Sequence, residues 1–349
     1  MGIQILEVDV RANLPLFQGL LNRNRTKEVG IERFEWLYLK NPQGSAKAWI
    51  VKDEKSERAV AFTSVLPRLV SVDTELVTCW NCSDFSVDPA FRSLGVAVRL
   101  RRKAKDCVDN GQIRALYAHP NDRMRVIHER VGHQPIGKMQ RYVKVLQWEP
   151  EVRKYVRSTL LERVVGGSLT RFFRTSETIF SSSKKGFMLE SSNGEPFGEE
   201  YDRLFHAAIR WYRVIGDRTS SYLNWRYGQN PLYRAERMVI RKDGELLGYV
   251  IYLLERERAV FQDILCVPEE EIVKVLVEHW IGDLRGRGIQ TISAILMSHN
   301  PIIPLFKKLG FKSRPEESFV FAYTRSGDRI DPAWLNGGHW YMTVGDRDV

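Results

Sequence analysis

The sequence predicts an α/β fold of the mixed-sheet, α+β kind, built as two tandem lobes, each a mostly antiparallel sheet flanked by helices. Two observations carry that expectation. The chain repeats itself: "FEWLYLKNP" at 34–42 returns as "LNWRYGQNP" at 223–231, and Trp36, Tyr38, Asn41 and Pro42 match Trp225, Tyr227, Asn230 and Pro231 at a constant offset of 189. Each copy also runs through the same order of patterns. A helical stretch leads into alternating runs typical of antiparallel strands, then a central strand, a helix, another strand and a short helix ending at Gly132 or Gly310. Landmarks kept in order over so long a span indicate a tandem duplication.

The alternating runs are "KAWIVKDEKSERAVAFTSVL" in the first copy and "AERMVIRKDGELLGYVIYLL" in the second, where Asp243-Gly244 marks a hairpin turn. Further on, "HPNDRMRVIHERVGH" at 119–133 is echoed by "SHNPIIPLFKKLGF" at 298–311. These landmarks divide the chain into a first lobe at 1–148, a basic helical linker at 149–186 broken at Gly166-Gly167, a second lobe at 187–327, and a tail at 328–349. The tail is aromatic and turn-rich, and its pattern suggests packing alone.

Composition narrows the function classes. With 43% hydrophobic and 28% charged residues in 349, the chain reads as an ordinary globular protein. It has no apolar run of about 18 residues, so no membrane insertion is expected, and its start lacks the pattern of a secretory signal. A cytoplasmic location follows as the expectation. Four cysteines make no disulfide framework. Cys79 and Cys82 have CxxC spacing but fall in a strand-like run with no second Cys/His pair to match, so they read as core residues and no metal site is expected. The formal charge of +10 is local. Residues 92–130 carry ten Lys and Arg against four Asp and Glu, and 151–185 carry eight against three. Such a field suits a phosphate-rich small ligand as well as a polynucleotide.

The stretch "VDPAFRSLGVAVRL" at 87–100 sits in the first of these basic regions. A turn of Leu94, Gly95, Val96 and Ala97 at a helix start aims successive backbone N–H groups at one spot, which the helix dipole makes attractive to phosphate oxygens. After it, Val96, Leu100, Ala104 and Cys107/Val108 form one apolar stripe, with Arg99, Arg101, Arg102, Lys103 and Lys105 expected on the remaining surface.

"DFSVDPAFRSLGVAVRL" followed by "LYAHPNDRMRVIHERVGH" resembles the two signature stretches of the GNAT superfamily, the acyl-CoA-dependent N-acyltransferases. The resemblance covers the first lobe in register and recurs, degraded, over about 200–325. It implies an acetyl-CoA or other acyl-CoA co-substrate and the amine of a small acceptor, such as an amino sugar or nucleotide-linked sugar. Nucleic acid is not an expected partner. By resemblance, Val87 pairs its backbone with the pantetheine arm, while Arg92, Ser93 and the amides of Leu94, Gly95, Val96 and Ala97 hold the pyrophosphate. Asn121 falls on the coenzyme-contacting asparagine.

The acid and base positions depart from the family pattern. Where a tyrosine usually protonates the leaving thiolate, this chain has His128, either an acid near neutral pH or a surface residue of an amphipathic helix. The acidic pair before Val-x-Pro reads Ser83-Asp84. Asp84 is then a base, an anchor for the substrate ammonium, or a strand-end carboxylate satisfied by backbone. His119 is a second base candidate. Strict alternation would place Asn81, Ser83 and Phe85 on one face and Cys82, Asp84 and Ser86 on the other.

The second lobe keeps Val267-Pro268 but follows it with Glu269, Glu270 and Glu271, which would repel a pyrophosphate, and the acid position falls near Phe306. This lobe is expected to bind no coenzyme. Three other readings stand beside the acyl-CoA one: an aminoacyl-tRNA-dependent transferase of the Fem type, an acyl carrier protein as donor, and a coenzyme-binding protein without turnover.

Overall fold

Each Trp-x-Tyr landmark lies in a wide helical turn that ends a short helix and feeds an antiparallel meander, as the computed structural model of residues 2–147 and 186–348 shows. The linker expected at 149–186 lies, up to residue 185, outside the described residues. The first half comprises β1 (Ile3–Val8), α1 (Leu14–Asn22), α2 (Ile31–Phe34), β2 (Lys47–Asp53), β3 (Ala59–Val72), β4 (Glu75–Val87), α3 (Val96–Asp109), β5 (Ala115–Ala118), α4 (Asp122–Arg130) and β6 (Gln134–Val145). The second half repeats the order with one added strand, β8, between its leading helices: β7 (Met188–Asn193), α5 (Glu199–Ala208), β8 (Val214–Gly216), α6 (Ser220–Leu223), β9 (Glu236–Lys242), β10 (Glu245–Glu255), β11 (Arg258–Cys266), α7 (Glu270–Gly286), β12 (Thr291–Met297), α8 (Ile303–Lys308) and β13 (Lys312–Thr324). The tail adds α9 (Asp331–Trp334) and β14 (Trp340–Tyr341).

Local chemistry sets several boundaries. The Asp243-Gly244 turn between β9 and β10 has both residues at positive φ, +51° and +84°, the conformation that suits a two-residue hairpin. Gly132 and Gly310 follow α4 and α8 with φ of +90° and +84°, ending both helices in the left-handed conformation that glycine adopts without strain.

The strands form one sheet in the order β1-β2-β3-β4-β5-β13-β6-β12-β11-β10-β9-β7, with β8 paired to β3 and β14 to β8. The centre of this order is an exchange. The last strand of the second half, β13, pairs with β5 of the first, from Phe321–Ala118 to Thr324–Ala115. The last strand of the first half, β6, pairs with β12 of the second, from Thr291–Val145 to Met297–Met139. The exchanged strands also pair with each other. Each half therefore completes its sheet with backbone from the other. Trp334, Trp340 and Met342 from the tail fill the space beneath this junction, packed on Tyr117, Ile136 and Val320.

The repeat landmarks also meet across the two halves, in a separate core packed on β2 and β3. Trp36 and Trp225 stack with ring centroids 4.9 Å apart. Trp36 Nε1 donates to Trp225 O at 2.9 Å, and Trp225 Nε1 donates to Trp36 O at 3.1 Å. The contact is reciprocal, as a local two-fold axis requires. No helix among the described residues is long and apolar enough to cross a membrane.

Trp36→Ala and Trp225→Ala are each expected to cost about 3–5 kcal/mol in urea unfolding. The double variant should lose less than the sum of the two, since each substitution already removes the shared contact. Simple additivity would show that the pair is not coupled.

Candidate active site

A slot opens in the first half where β4 and β5 part. Their parallel ladder pairs Trp80 with Leu116, Asn81 with Tyr117 and Cys82 with Ala118, and then stops. β4 continues to Val87, while the chain beyond Ala118 turns through His119 and Pro120 into α4. From Ser83 onward β4 thus has a strand neighbour on its β3 side alone. Such an edge can pair with an extended ligand through its backbone.

The turn expected to hold phosphate stands at the mouth of this slot. Residues Pro89–Leu94 form a tight helical turn, and Gly95 takes φ +66° before α3 starts at Val96. That φ is why a glycine is needed here. Asp88 accepts from Ala90 N at 3.1 Å and steadies the turn. The first bond of α3 runs from Arg99 N to Gly95 O, so the amides of Val96, Ala97 and Val98 precede the ladder at the positive end of the helix. Arg92 is exposed but tethered, donating through Nε to Val87 O at 3.2 Å and through Nη2 to Asn24 Oδ1 at 2.5 Å. The structure brings Val87, Arg92, Ser93, Leu94, Gly95, Val96 and Ala97 together. Asn121 stands on the β5 side, where its Oδ1 caps α4 by accepting from Met124 N at 3.0 Å.

The acid and base candidates are dispersed by a bulge. Between Phe85 and Cys82, β4 advances three residues while β3 advances two, from Thr63 to Val65. The extra residue breaks the strict alternation expected for this strand. Trp80 and Cys82 pack with Val87 against the α3 core, as Phe85 also does in part. Asp84 and Ser86 turn instead toward α1 and α2, so Cys82 does not share their face. Asp84 is buried and its carboxylate is already occupied. Arg33 donates to it through Nη1 at 2.7 Å and Nη2 at 3.1 Å, and the Tyr38 hydroxyl donates at 2.9 Å. That is the geometry of an anchor.

His128, open to two readings in the sequence, is buried at 2% exposure. Its Nδ1 lies 2.8 Å from Nδ1 of His133, so one ring donates and the other accepts. Burial, then Arg101 and His133, push His128 well below the usual histidine range. His133 is pushed down to about 3, by burial first and then Arg101. His119 is likewise held neutral, chiefly by burial. Its Nε2 lies 3.2 Å from Met342 Sδ. Cys79 and Cys82 are both buried, and burial raises both thiols. They belong to cores on opposite faces of the sheet.

Two groups that the sequence did not single out complete the site. Asp348, in the tail, accepts from Ser83 Oγ at 3.1 Å. Burial and the neighbouring Asp84 raise its carboxyl above the ordinary aspartate range. Arg101, expected among the exposed basic residues of α3, is 1% exposed, with Nη2 at 3.4 Å from Ser83 O.

The tail reaches this point through a buried ionic network. Arg218 holds Asp263 at 3.1 Å and Asp346 at 2.7 Å, and Arg68 holds Asp346 at 2.9 Å. Against the upward pull of burial, Arg218 and Arg68 hold the Asp346 carboxyl down at about 2. Burial, opposed by Arg218, raises that of Asp263. Asp84 and Asp263 stand five residues before Pro89 and Pro268, the same place in the two repeats, and each is gripped by a buried arginine.

No protein-family model matches this sequence, and a search of curated proteins returned no match. Solved structures do match. A GCN5-related N-acetyltransferase from Anabaena variabilis superposes with a TM-score of 0.65 at 10% identity, covering 93% of this chain and 73% of its own. A tandem GNAT protein from the clavulanic acid biosynthesis pathway gives 0.55 at 11% identity, over 94% of this chain and 100% of its own. N-myristoyltransferase of Saccharomyces cerevisiae, solved with bound myristoyl-CoA, gives 0.58 at 14% identity, over 97% and 85%. The chain has the tandem GNAT fold.

The second half has the same parting of its central strands but lacks the glycine turn. β11 and β12 pair in parallel from Arg258–Thr291 to Val260–Ser293 and then part. The gap is a cavity of about 190 Å³ with Tyr212, Ile264, Cys266, Pro304 and Tyr341 on its walls. At its rim, Lys308 pairs with Glu270 at 2.6 Å. No glycine turn precedes α7, and Phe306 is a core residue.

The buried histidines of the first GNAT half make stability depend on pH. Their pKa values are lower in the folded protein, so the unfolded chain takes up protons first as pH falls below about 6.5. The stabilising contribution is present above that pH and is lost on the way down toward the folded value of about 3 for His133. In urea titrations between pH 7 and 5, His133→Gln should flatten the fall by up to about 1.4 kcal/mol per pH unit. An unchanged slope would place the acid sensitivity elsewhere.

Proposed function

We propose that this protein is an N-acyltransferase that moves an acyl group from acyl-CoA to the amine of a small acceptor through one working coenzyme slot. The observation that carries this reading is the pairing, in the first half alone, of an open β4 edge with the Gly95 turn at the start of α3. The backbone edge suits the amide-bearing pantetheine arm, and the helix start with Arg92 suits the pyrophosphate. In the second half, Glu269, Glu270 and Glu271 stand where the anion would go.

Acyl transfer to an amine needs a free lone pair on nitrogen. Among the carboxylates at the slot, Asp84 is spoken for by Arg33 and Tyr38, whereas Asp348 has a raised pKa and a single hydroxyl partner in Ser83. Asp348 is therefore the base in this reading, and Asp84 with Arg33 fixes the bulge that sets Ser83 toward it. A space of about 20 Å³ beside Asp348, bordered by Asn81, Tyr117 and Arg347, is large enough for one relaying water. The amine then attacks the thioester carbonyl, the C–S bond breaks, and the thiolate is protonated by solvent. The neutral His128–His133 pair makes His128 a poor source of that proton, which also keeps coenzyme binding without turnover as a second reading.

Titration calorimetry with acetyl-CoA is expected to show one site per chain, lost in Gly95→Glu, where a side chain at φ +66° and a negative charge both oppose binding. Two sites, or none, would overturn the single-slot reading. With a panel of amino sugars, nucleotide-linked sugars and simple amines, thiol release should follow. Asp348→Asn should cut kcat/KM by about 10²–10⁴ and remove the acidic limb of its pH profile. Binding with no thiol release from any amine would favour the second reading.

A further inference from the structure

The slot holds a charge that the acetyl-CoA reading leaves unused. Of the deeply buried arginines, Arg33, Arg68 and Arg218 each meet a carboxylate at 3.1 Å or closer, and Arg226, without one among the described residues, donates to Arg347 O at a short 2.9 Å. Arg101 is as deeply buried, yet no carboxylate among the described residues lies within ion-pair distance of it. Its Nε and Nη1 have no hydrogen-bond partner, and its Nη2 reaches Ser83 O at a long 3.4 Å. The groups around it are the Phe85 ring at 5.5 Å, the Cys82 thiol, and His128 and His133, both kept neutral in part by this very guanidinium. A buried cation without a counter-charge costs several kcal/mol, and a bidentate carboxylate is the partner that guanidinium geometry fits best.

Its place in the slot says what could bring that carboxylate. Arg101 lies six residues into α3 from Gly95, about 9 Å along the helix from the phosphate turn. Ser83, whose carbonyl accepts from its Nη2, is the first residue of β4 beyond the last rung shared with β5, and Cys82, whose thiol it also meets, sits on that rung. The guanidinium therefore stands at the closed end of the slot, opposite the mouth. On the acyl-CoA reading above, phosphates at the mouth leave the acyl group directed to this end. An acetyl group would bring a methyl to an unpaired charge. We propose that the donor is a coenzyme A monothioester of a short dicarboxylic acid, whose free carboxylate pairs with Arg101.

The test uses two unreactive thioethers with the same three-carbon chain, S-propyl-CoA and S-(2-carboxyethyl)-CoA, titrated calorimetrically into the full chain beside coenzyme A itself. The carboxyethyl compound is expected to bind at least about tenfold more tightly. That ratio should fall to near one in Arg101→Met and be partly kept in Arg101→Lys. Thermal unfolding without ligand supplies a second readout: Arg101→Met should melt at or above the parent temperature, because it removes an unpaired buried charge. Equal affinities in the parent protein, or a preference that survives in Arg101→Met, would overturn this proposal while leaving the acyl-CoA reading in place. If neither thioether nor coenzyme A binds, both fall together. An Arg101→Met chain that melts well below the parent would show that the guanidinium is already compensated, and would overturn the proposal as well.

Discussion

The exchange of β6 and β13 is the constraint on which the rest of the molecule depends. A GNAT half that kept its own last strand could close its sheet alone, and its relation to a second copy would be a matter of linker length. Here β5 finds its neighbour in β13 and β12 finds its neighbour in β6. Ladder hydrogen bonds cross the junction in both directions, and leaving either set unmade would bury unpaired backbone groups. The Trp36–Trp225 pair links the two halves a second time, through side chains, each indole donating to the other residue's carbonyl. The two halves fold as one sheet, and the site between them can draw on residues far apart in sequence.

That junction explains why Asp348 can take part in the first-half slot. The tail enters along β14 beside β8, which is itself paired to β3. Asp346 then inserts between Arg68 of the first half and Arg218 of the second. With that carboxylate clamped from both sides, Asp348 two residues on is placed against Ser83. Removing either arginine would leave a buried carboxylate short of a partner, at a cost of about 3–5 kcal/mol. The network thus links the position of the proposed base to the integrity of the whole interface.

Much of this was legible in the sequence, for identifiable reasons. The duplication shows because Trp36, Tyr38, Asn41 and Pro42 serve a symmetric contact that both copies must keep. The turn at Gly95 shows because a left-handed residue at a helix start calls for glycine. The carboxylate shared by the repeats, Asp84 and Asp263, could have been found from their equal distance to a proline. Asp348 and Arg101 could not. Asp348 acts across 265 residues of sequence, and periodicity alone cannot foresee such a contact. Arg101 follows Leu100 on α3, so a stripe drawn on apolar residues sends it outward; the bulge at Ser83 and the parting of β5 leave room for it inside.

The two slots show what duplication left free to change. Both retain parted central strands, because the strand exchange fixes where β5 and β12 must run. What surrounds the gap is under no such constraint. In the second half Glu270 and Glu271 stand in the first turn of α7, where their charges favour that end of the helix. Phe306 stacks on Phe311 at 4.4 Å and fills the core. The walls are mostly apolar, and an ion pair spans the rim. In the first half the same gap ends in a buried guanidinium and opens on a turn of free amides, a polar arrangement that contributes nothing to stability when empty. A polar interior retained in one copy and replaced by apolar packing in the other is what differential use of two equivalent slots would produce.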